Sequence, residues 1–395
     1  MLIGTFWRTF FPSHLKRDIV SIIYVKKLNK NNEKGITYFM KIKFLAQCAH
    51  IFREKSILLC WLLSIVFSVN GFASQSNTEL IKKIKDIEKK SNTVMGVTAI
   101  YIEKNKVIAH NSNQRFFMAS TIKLPIAMAF LHRVDEKKDS LNRVIKMDSR
   151  NSVPGSGALH YLFEKKKLSI SLKQILMHTL KNSDNSASDA LLQAANGPRY
   201  VAKRMNALGF KNISINRSIM EMFIDTNHVD RSFLKKRQPV YSWQKISNRV
   251  PLKEKQQAWQ RFEKDIRDTT TPDDMAKLLV KLYKKQALSE SSTDLLMKIM
   301  EQCRTGRSRI KGLLPANVKV AHKTGTWSIY ERDYLRYPGS KKLYRFVSDV
   351  GIITLPNNKG HIAIAVYVKS KSASDYPRSR AIALASRAIY DHFMK

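Results

Sequence analysis

Cysteine is scarce in this chain of 395 residues, with only Cys48, Cys60 and Cys303. The first two fall in a segment that reads as removable, so no internal disulfide is expected in the remainder, and a fold stapled by bridges is excluded. Acidic side chains are also short, 31 Asp and Glu against 70 Lys and Arg, which leaves a formal charge of +39. Such a field draws polyanions. Yet the Cys/His spacing of a zinc module, the aromatic signature of an RNA-binding sheet and a basic zipper are all missing, and the cations are dispersed along the chain. No nucleic-acid partner is expected, and a basic surface in an anionic cell envelope accounts for the charge. The ten histidines form no H-x-x-x-H or H-E-x-x-H pair, so neither metal nor cofactor is expected. What remains is ordinary globular material, 44% hydrophobic and 26% charged.

One apolar run stands out, Ile57 to Val69, preceded by Arg53 and Lys55 and followed by Gly71-Phe72-Ala73-Ser74. It is shorter than the roughly 20 residues of a membrane span. A charged start, an apolar centre and a small-residue end make a secretory signal peptide, cut near Ala73. Cys60 follows the bulky Leu58 and Leu59, which argues against lipidation. Export signals begin close to a start residue, so Met40 is the expected start, with 1–39 a non-structural extension and 40–73 the signal. The expected location is periplasmic or secreted, with membrane contact only in transit.

Past that point Thr78 to Lys90 carries Leu80, Ile81, Ile84 and Ile87 at helical spacing. Val94 to Ile102 and Val107 to His110 read as a hairpin, as do Tyr344 to Leu355 and Gly360 to Val368 around Pro356-Asn357-Asn358-Lys359. A last helix spans Arg378 to Met394. Between these ends the patterns are helical, including Leu172 to Lys181, Ser186 to Ala195 and Asp273 to Lys285. The expected fold is α/β, of the three-layer α+β kind: an antiparallel sheet built from both chain ends, flanked by terminal helices, with an inserted helical subdomain.

Three short motifs carry chemistry. Ser120-Thr121-Ile122-Lys123 leads into the apolar stretch Leu124 to Leu131, and positions i and i+3 share a helix face, so Lys123 is placed to reach the Ser120 hydroxyl. A lysine partly stripped of water can be neutral enough to take a serine proton. The same S-x-x-K spacing also occurs at Ser13, Ser242 and Ser308, where it is only a helix start. Ser183-Asp184-Asn185 lies between two helical patterns, where Ser183 can relay a proton and Asn185 can bind an amide, although all three are also ordinary caps. Lys323-Thr324-Gly325-Thr326 follows an extended segment, where Lys323 can hold a carboxylate and Gly325 permits close approach. The N–H groups of Ser120 and Thr326 can form an oxyanion hole there. S-D-N and K-T-G are each expected about 0.1 times by chance in a chain of this length, about one per cent jointly.

In this order the three motifs resemble the set of class A β-lactamases and penicillin-binding proteins, over roughly Asn77 to Lys395. The resemblance implies a 74–395 catalytic domain with a helical subdomain over about 130–300. Ser120 would be acylated, with Lys123 its base partner, Ser183 a catalytic relay, and Asn185, Lys323, Thr324, Gly325 and Thr326 binding substrate. Arg217 and Asp268 resemble the pair that ties the neck of a loop beneath the site. In the family that loop carries the water-activating glutamate two residues after the arginine; here that residue is Ile219. Glu221 is the expected catalytic base, with Glu254 or no carboxylate as the alternatives. The segment between Arg217 and Asp268 is far longer than the family norm and is expected to be a long inserted loop, and Trp327 to Lys342, with Tyr330, Tyr334 and Tyr337, a second departure.

The resemblance implies a monomeric serine hydrolase of β-lactam antibiotics. A peptidase acting on peptidoglycan stem peptides with slow deacylation stays open, as does a non-catalytic cationic envelope-binding protein.

Overall fold

The computed structural model describes residues 77–236, 240–328 and 343–395. The proposed extension 1–39, signal peptide 40–73 and tyrosine-rich stretch 329–342 lie outside the described residues.

Helix α1 over 77–90 is followed by β1 (Val94–Tyr101), β2 (Lys106–His110) and the two-residue β3 (Phe116–Phe117). A 3₁₀ turn, Ala119–Ile122, runs into α2 (Lys123–Asp135). The first nine residues of α2 are all buried. With an apolar surface all round, it can only be a central helix. Next come β4 (Val144–Met147), α3 (Leu159–Lys165), β5 (Leu168–Ser171), α4 (Leu172–Lys181), α5 (Asn185–Ala194) and α6 (Gly197–Ala207). Four helices then fill the segment expected to be a long loop: α7 (Ile219–Asn227), α8 (Ser232–Lys236), α9 (Val240–Arg249) and α10 (Leu252–Glu263). That expectation is corrected. Phe233, Trp243, Trp259 and Phe262 are buried, and burying such aromatics outweighs the solvation of a basic stretch. The chain closes with β6 (Thr269–Thr270), α11 (Pro272–Tyr283), α12 (Glu290–Glu301), β7 (Val320–Trp327), β8 (Arg345–Leu355), β9 (Gly360–Ser370) and α13 (Tyr376–Met394).

The five long strands form one antiparallel sheet in the order β2-β1-β9-β8-β7. Successive strand residues point to opposite faces, and β9 uses both. Ile362, Ile364, Val366 and Val368 join the core shared with Ile84, Ile382 and Ile389 of α1 and α13. Ala363, Ala365 and Tyr367 join the core shared with α2, α4, α5 and α11. A sheet covered on both faces explains why β8 and β9 are nearly continuous apolar runs. β7, holding the K-T-G motif, is an edge strand against the helical subdomain.

Candidate active site

The nucleophile candidate sits in the turn before α2, after Ala119, whose φ of +49° is unusual for a residue with a Cβ. Ser183 has the same left-handed backbone, at +56°. Such positions cost of order 1–3 kcal/mol and persist where the surroundings hold them. The holding contact for Ala119 is β7. A Cβ on Gly325 would stand 2.7 Å from the Met118 carbonyl oxygen and 3.2 Å from the Ala119 Cβ. Only glycine lets the strand and the turn come this close.

In the S-D-N segment the roles divide. Asp184 caps α5, accepting from the N–H groups of Ala187 at 2.9 Å and Leu159 at 3.0 Å. Thus the cap role belongs to the central residue, and Ser183 and Asn185 are left for Lys123. Its ammonium lies 2.6 Å from the Ser183 carbonyl, 3.3 Å from the Ser183 hydroxyl and 2.7 Å from Asn185 Oδ1. From the other side Lys323 donates to the same hydroxyl at 2.9 Å and to the Thr324 carbonyl at 2.8 Å. The three motifs, spread over two hundred residues, meet at one serine oxygen.

The direct pairing expected between Lys123 and Ser120 is not formed. Among the described residues no hydrogen bond joins the two, because two carbonyl-type oxygens and a hydroxyl already occupy the amine. Ser120 is half-buried. Lys123 is fully buried, and burial, then the charge of Lys323, hold its ammonium well below the usual lysine range. Burial lowers Lys323 too, partly offset by the negative charges of Cys303 and Asp349, to about 8. Two buried amines this close cannot both be fully charged.

The neck of the inserted segment is tied as expected. Arg217 Nε lies 2.6 Å from Asp268 Oδ2, and the N–H groups of Asn216 and Arg217 donate to Asp268 Oδ1 at 2.7 and 3.2 Å. Arg217 also meets Asp225 at 2.8 Å and Asp265 at 3.1 Å. Asp268 is fully buried, and its carbonyl accepts from Met118 N–H at 3.1 Å. Through this bond and the Phe116–Thr270 pairing of β3 with β6, the neck is fastened to the nucleophile turn.

Inside the neck the chemistry departs from expectation. Glu221 closes a capping box: Ser218 N–H donates to its carboxylate at 2.8 Å, and its own N–H donates to Ser218 Oγ at 3.2 Å. Its other oxygen faces Arg231 at 3.6 Å. The cavity it borders, about 280 Å³, is lined by Ser186, Asp189, Ser218 and Phe233 but not by Ser120, Lys123 or Ser183. Among the described residues no hydrogen bond joins Glu221 to Ser120, Lys123 or Ser183; the carboxylate that reads as a base in sequence is engaged at a helix start. Glu254 is on α10, about half exposed and 3.6 Å from His228. Ile219 is buried, and the Phe223 ring stands 4.8 Å from that of Trp327 at the end of β7. An aromatic pair thus lies where α7 meets the end of β7.

Two residues not singled out in the sequence join the site. Asp189 lies one turn after Asn185 on α5, a spacing that places both on one face. It accepts from the N–H groups of Ile219 at 2.7 Å and Met220 at 3.0 Å, and burial pushes its carboxyl up to about 6 against those bonds and the charge of Lys123. Arg309 donates to the Gly325 carbonyl at 2.9 Å and to Thr326 Oγ1 at 2.6 Å. This sets a fixed cation beside Lys323 on the cleft edge, and no local pattern announces it.

A buried serine hydroxyl shared by two amines, beside a half-buried serine and an edge strand with cationic partners, suits nucleophilic attack on the carbonyl of an anionic substrate. Residues 79–393 match the family model described as the beta-lactamase enzyme family. The chain is 31% identical to beta-lactamase VEB-1 of Pseudomonas aeruginosa, covering 81% of this chain and 92% of that protein. Among solved structures it is similar to the TLA-3 extended-spectrum beta-lactamase, at 28% identity and a TM-score of 0.65 over 81% of this chain and 100% of the other. It is also similar to an ancestral class A beta-lactamase, at 25% identity and a TM-score of 0.60 over 79% and 99%.

Proposed function

The chain belongs to the beta-lactamase enzyme family and is a class A serine β-lactamase, and from that premise we propose which residues perform the two half-reactions. Ser120 attacks the lactam carbonyl. Lys123, whose charged form burial disfavours, takes the hydroxyl proton once its amine leaves Ser183 and Asn185, since catalytic hydrogen bonds often tighten only when substrate is bound. Ser183, bonded to both amines, relays that proton to the lactam nitrogen as the amide C–N bond breaks. The N–H groups of Ser120 and Thr326 receive the carbonyl oxygen. Lys323, with Arg309 beside it, holds the substrate carboxylate, while Asn185 steadies the side-chain amide.

The observation that carries this reading is the Ser183 hydroxyl, 3.3 Å from one lysine and 2.9 Å from the other. The test is hydrolysis of a chromogenic cephalosporin: turnover by the wild type, loss of at least about a thousandfold in Ser120→Ala. Absence of turnover above buffer, with no mass adduct on Ser120, overturns it.

Deacylation is proposed to be the slow step, because Ile219 stands where the family carries its glutamate and Glu221 is engaged at a cap. Mixing with penicillin should then give a burst close to one product per enzyme and an adduct on Ser120 that outlives manual mixing. A linear time course with no detectable adduct overturns this half. The same reading places the enzyme, as a monomer, in the periplasm or outside the cell after export through residues 40–73.

A further inference from the structure

Alternate residues of β7 face opposite ways. Lys323 turns toward Ser183, whereas His322 turns to the other side, where a second set of chemical groups is buried. His322 Nδ1 lies 2.9 and 3.0 Å from the two oxygens of Asp349 on β8. Asp349 is itself fixed by Ile310 N–H at 3.2 Å. His322 and Asp349 are wholly buried. The second ring nitrogen, Nε2, is also buried and makes no hydrogen bond among the described residues. Cys303 follows α12, is 8% exposed, and lies 3.3 Å from Thr305 Oγ1, which lies 2.6 Å from Thr324 Oγ1 of the K-T-G motif. His322 and Thr324 share a face of β7, so the thiol, the imidazole and the carboxylate gather on the side of the strand away from Ser183, and the proposed hydrolysis uses none of them.

The charges in this group support one another. Burial alone would lower the imidazole, but the charge and hydrogen bond of Asp349 hold it up at about 9. Burial would raise the thiol, but His322 and the charge of Lys323 outweigh it and bring the thiol down to about 6. Both shifts favour imidazolium beside thiolate, the nucleophilic form of cysteine.

We propose that Cys303, His322 and Asp349 form a reactive thiolate site that takes small oxidants of the hydroperoxide class and small alkylating agents, and that modification there weakens substrate binding at Lys323. With hydrogen peroxide, the sulfur attacks one oxygen, so that an S–O bond forms and the O–O bond breaks. The sulfur is oxidised to sulfenic acid and the peroxide is reduced. The departing hydroxide takes the His322 proton and leaves as water. The product has lost the negative charge that supports the Lys323 ammonium, and it carries an extra oxygen beside the Thr305–Thr324 contact. The binding consequence rests on the proposed role of Lys323; the thiol reactivity does not.

The test uses the full-length protein and peptide mapping, which separates Cys303 from Cys48 and Cys60. Iodoacetamide labelling of Cys303 should rise with a midpoint near pH 6, and His322→Asn should move that midpoint up by a unit or more. Peroxide should give a dimedone-trappable Cys303 and lower kcat/KM about tenfold with little change in kcat, reversed by dithiothreitol. Cys303→Ser, which removes the same negative charge, should show a lowered kcat/KM with kcat kept before any peroxide, and no further loss when peroxide is added. A labelling midpoint near 8.5, or labelling only after unfolding, overturns the site. Normal reactivity with unchanged kcat/KM, or equal peroxide loss in Cys303→Ser, overturns the link to catalysis. If the protein hydrolyses no β-lactam at all, the labelling result still decides the thiolate.

Discussion

The two walls of the cleft put buried charge to different uses. The wall made by the Ala119–Ile122 turn, the α4–α5 junction and β7 buries charge, with Lys123 and Lys323 meeting over one hydroxyl and Arg309 at the rim. The wall made by α7 to α10 buries its charge at the neck, through Arg217 and its three carboxylates, and sets Phe223 against Trp327 at the end of β7. The difference teaches that clasp and catalyst are separable. The Arg217–Asp268 tie is needed to hold any segment of chain against the nucleophile turn, whatever that segment carries, whereas a water-activating carboxylate is needed only for rapid release of the acyl group.

The hardest blow to this arrangement is Asp268→Ala. The buried carboxylate satisfies a guanidinium and two N–H groups, and its backbone, at φ +56°, tolerates aspartate better than alanine. Removing one partner of a buried pair costs about 3–5 kcal/mol, to be read from urea unfolding, with Asp268→Asn milder because it keeps the shape. Equal midpoints for Asp268→Ala and wild type would show that the clasp is dispensable.

The contrast between the walls is sharpened by Ile219→Glu, which puts a carboxylate at the start of α7. The Ser120 adduct should lose at least tenfold in lifetime, followed by mass spectrometry after a penicillin pulse. An unchanged lifetime would mean that the slow step lies elsewhere.

A smaller effect comes from pH on the charged wall. Lys323 titrates at about 8, so its positive charge is present below that pH and lost above it. kcat/KM, which reports the free enzyme, should halve near pH 8 and keep falling. A bound carboxylate favours the ammonium, so kcat should hold to higher pH. A kcat/KM flat to pH 10 would remove Lys323 from substrate binding.

The sheet was legible in the sequence because β-branched apolar runs at both chain ends and two polar turns leave little choice of pairing. Ser120, Lys123, Ser183, Asn185 and Lys323 were legible as motifs, but not their wiring. The i, i+3 spacing suggested a Lys123–Ser120 bond, whereas the amine bonds Ser183 and Asn185. The helices between Arg217 and Asp268 were hidden among basic residues, although Ser218 with Glu221 is a capping box and Trp259 with Phe262 has helical spacing. That same box makes Glu221 ambiguous in sequence, since a glutamate at the third helical position serves the cap as readily as it serves a water molecule.

By itself the sequence determined the layers of this protein, its nucleophile segment and the three motifs that must converge, because each depends on local periodicity or on residue types that few other chemistries combine. Only the tertiary structure decided which amine binds which oxygen, that Glu221 is occupied at a cap, and that Cys303 stands behind Lys323 with His322 and Asp349. Those outcomes turn on distances of a few ångströms between segments far apart in the chain, and burial there changes the charge of every group involved.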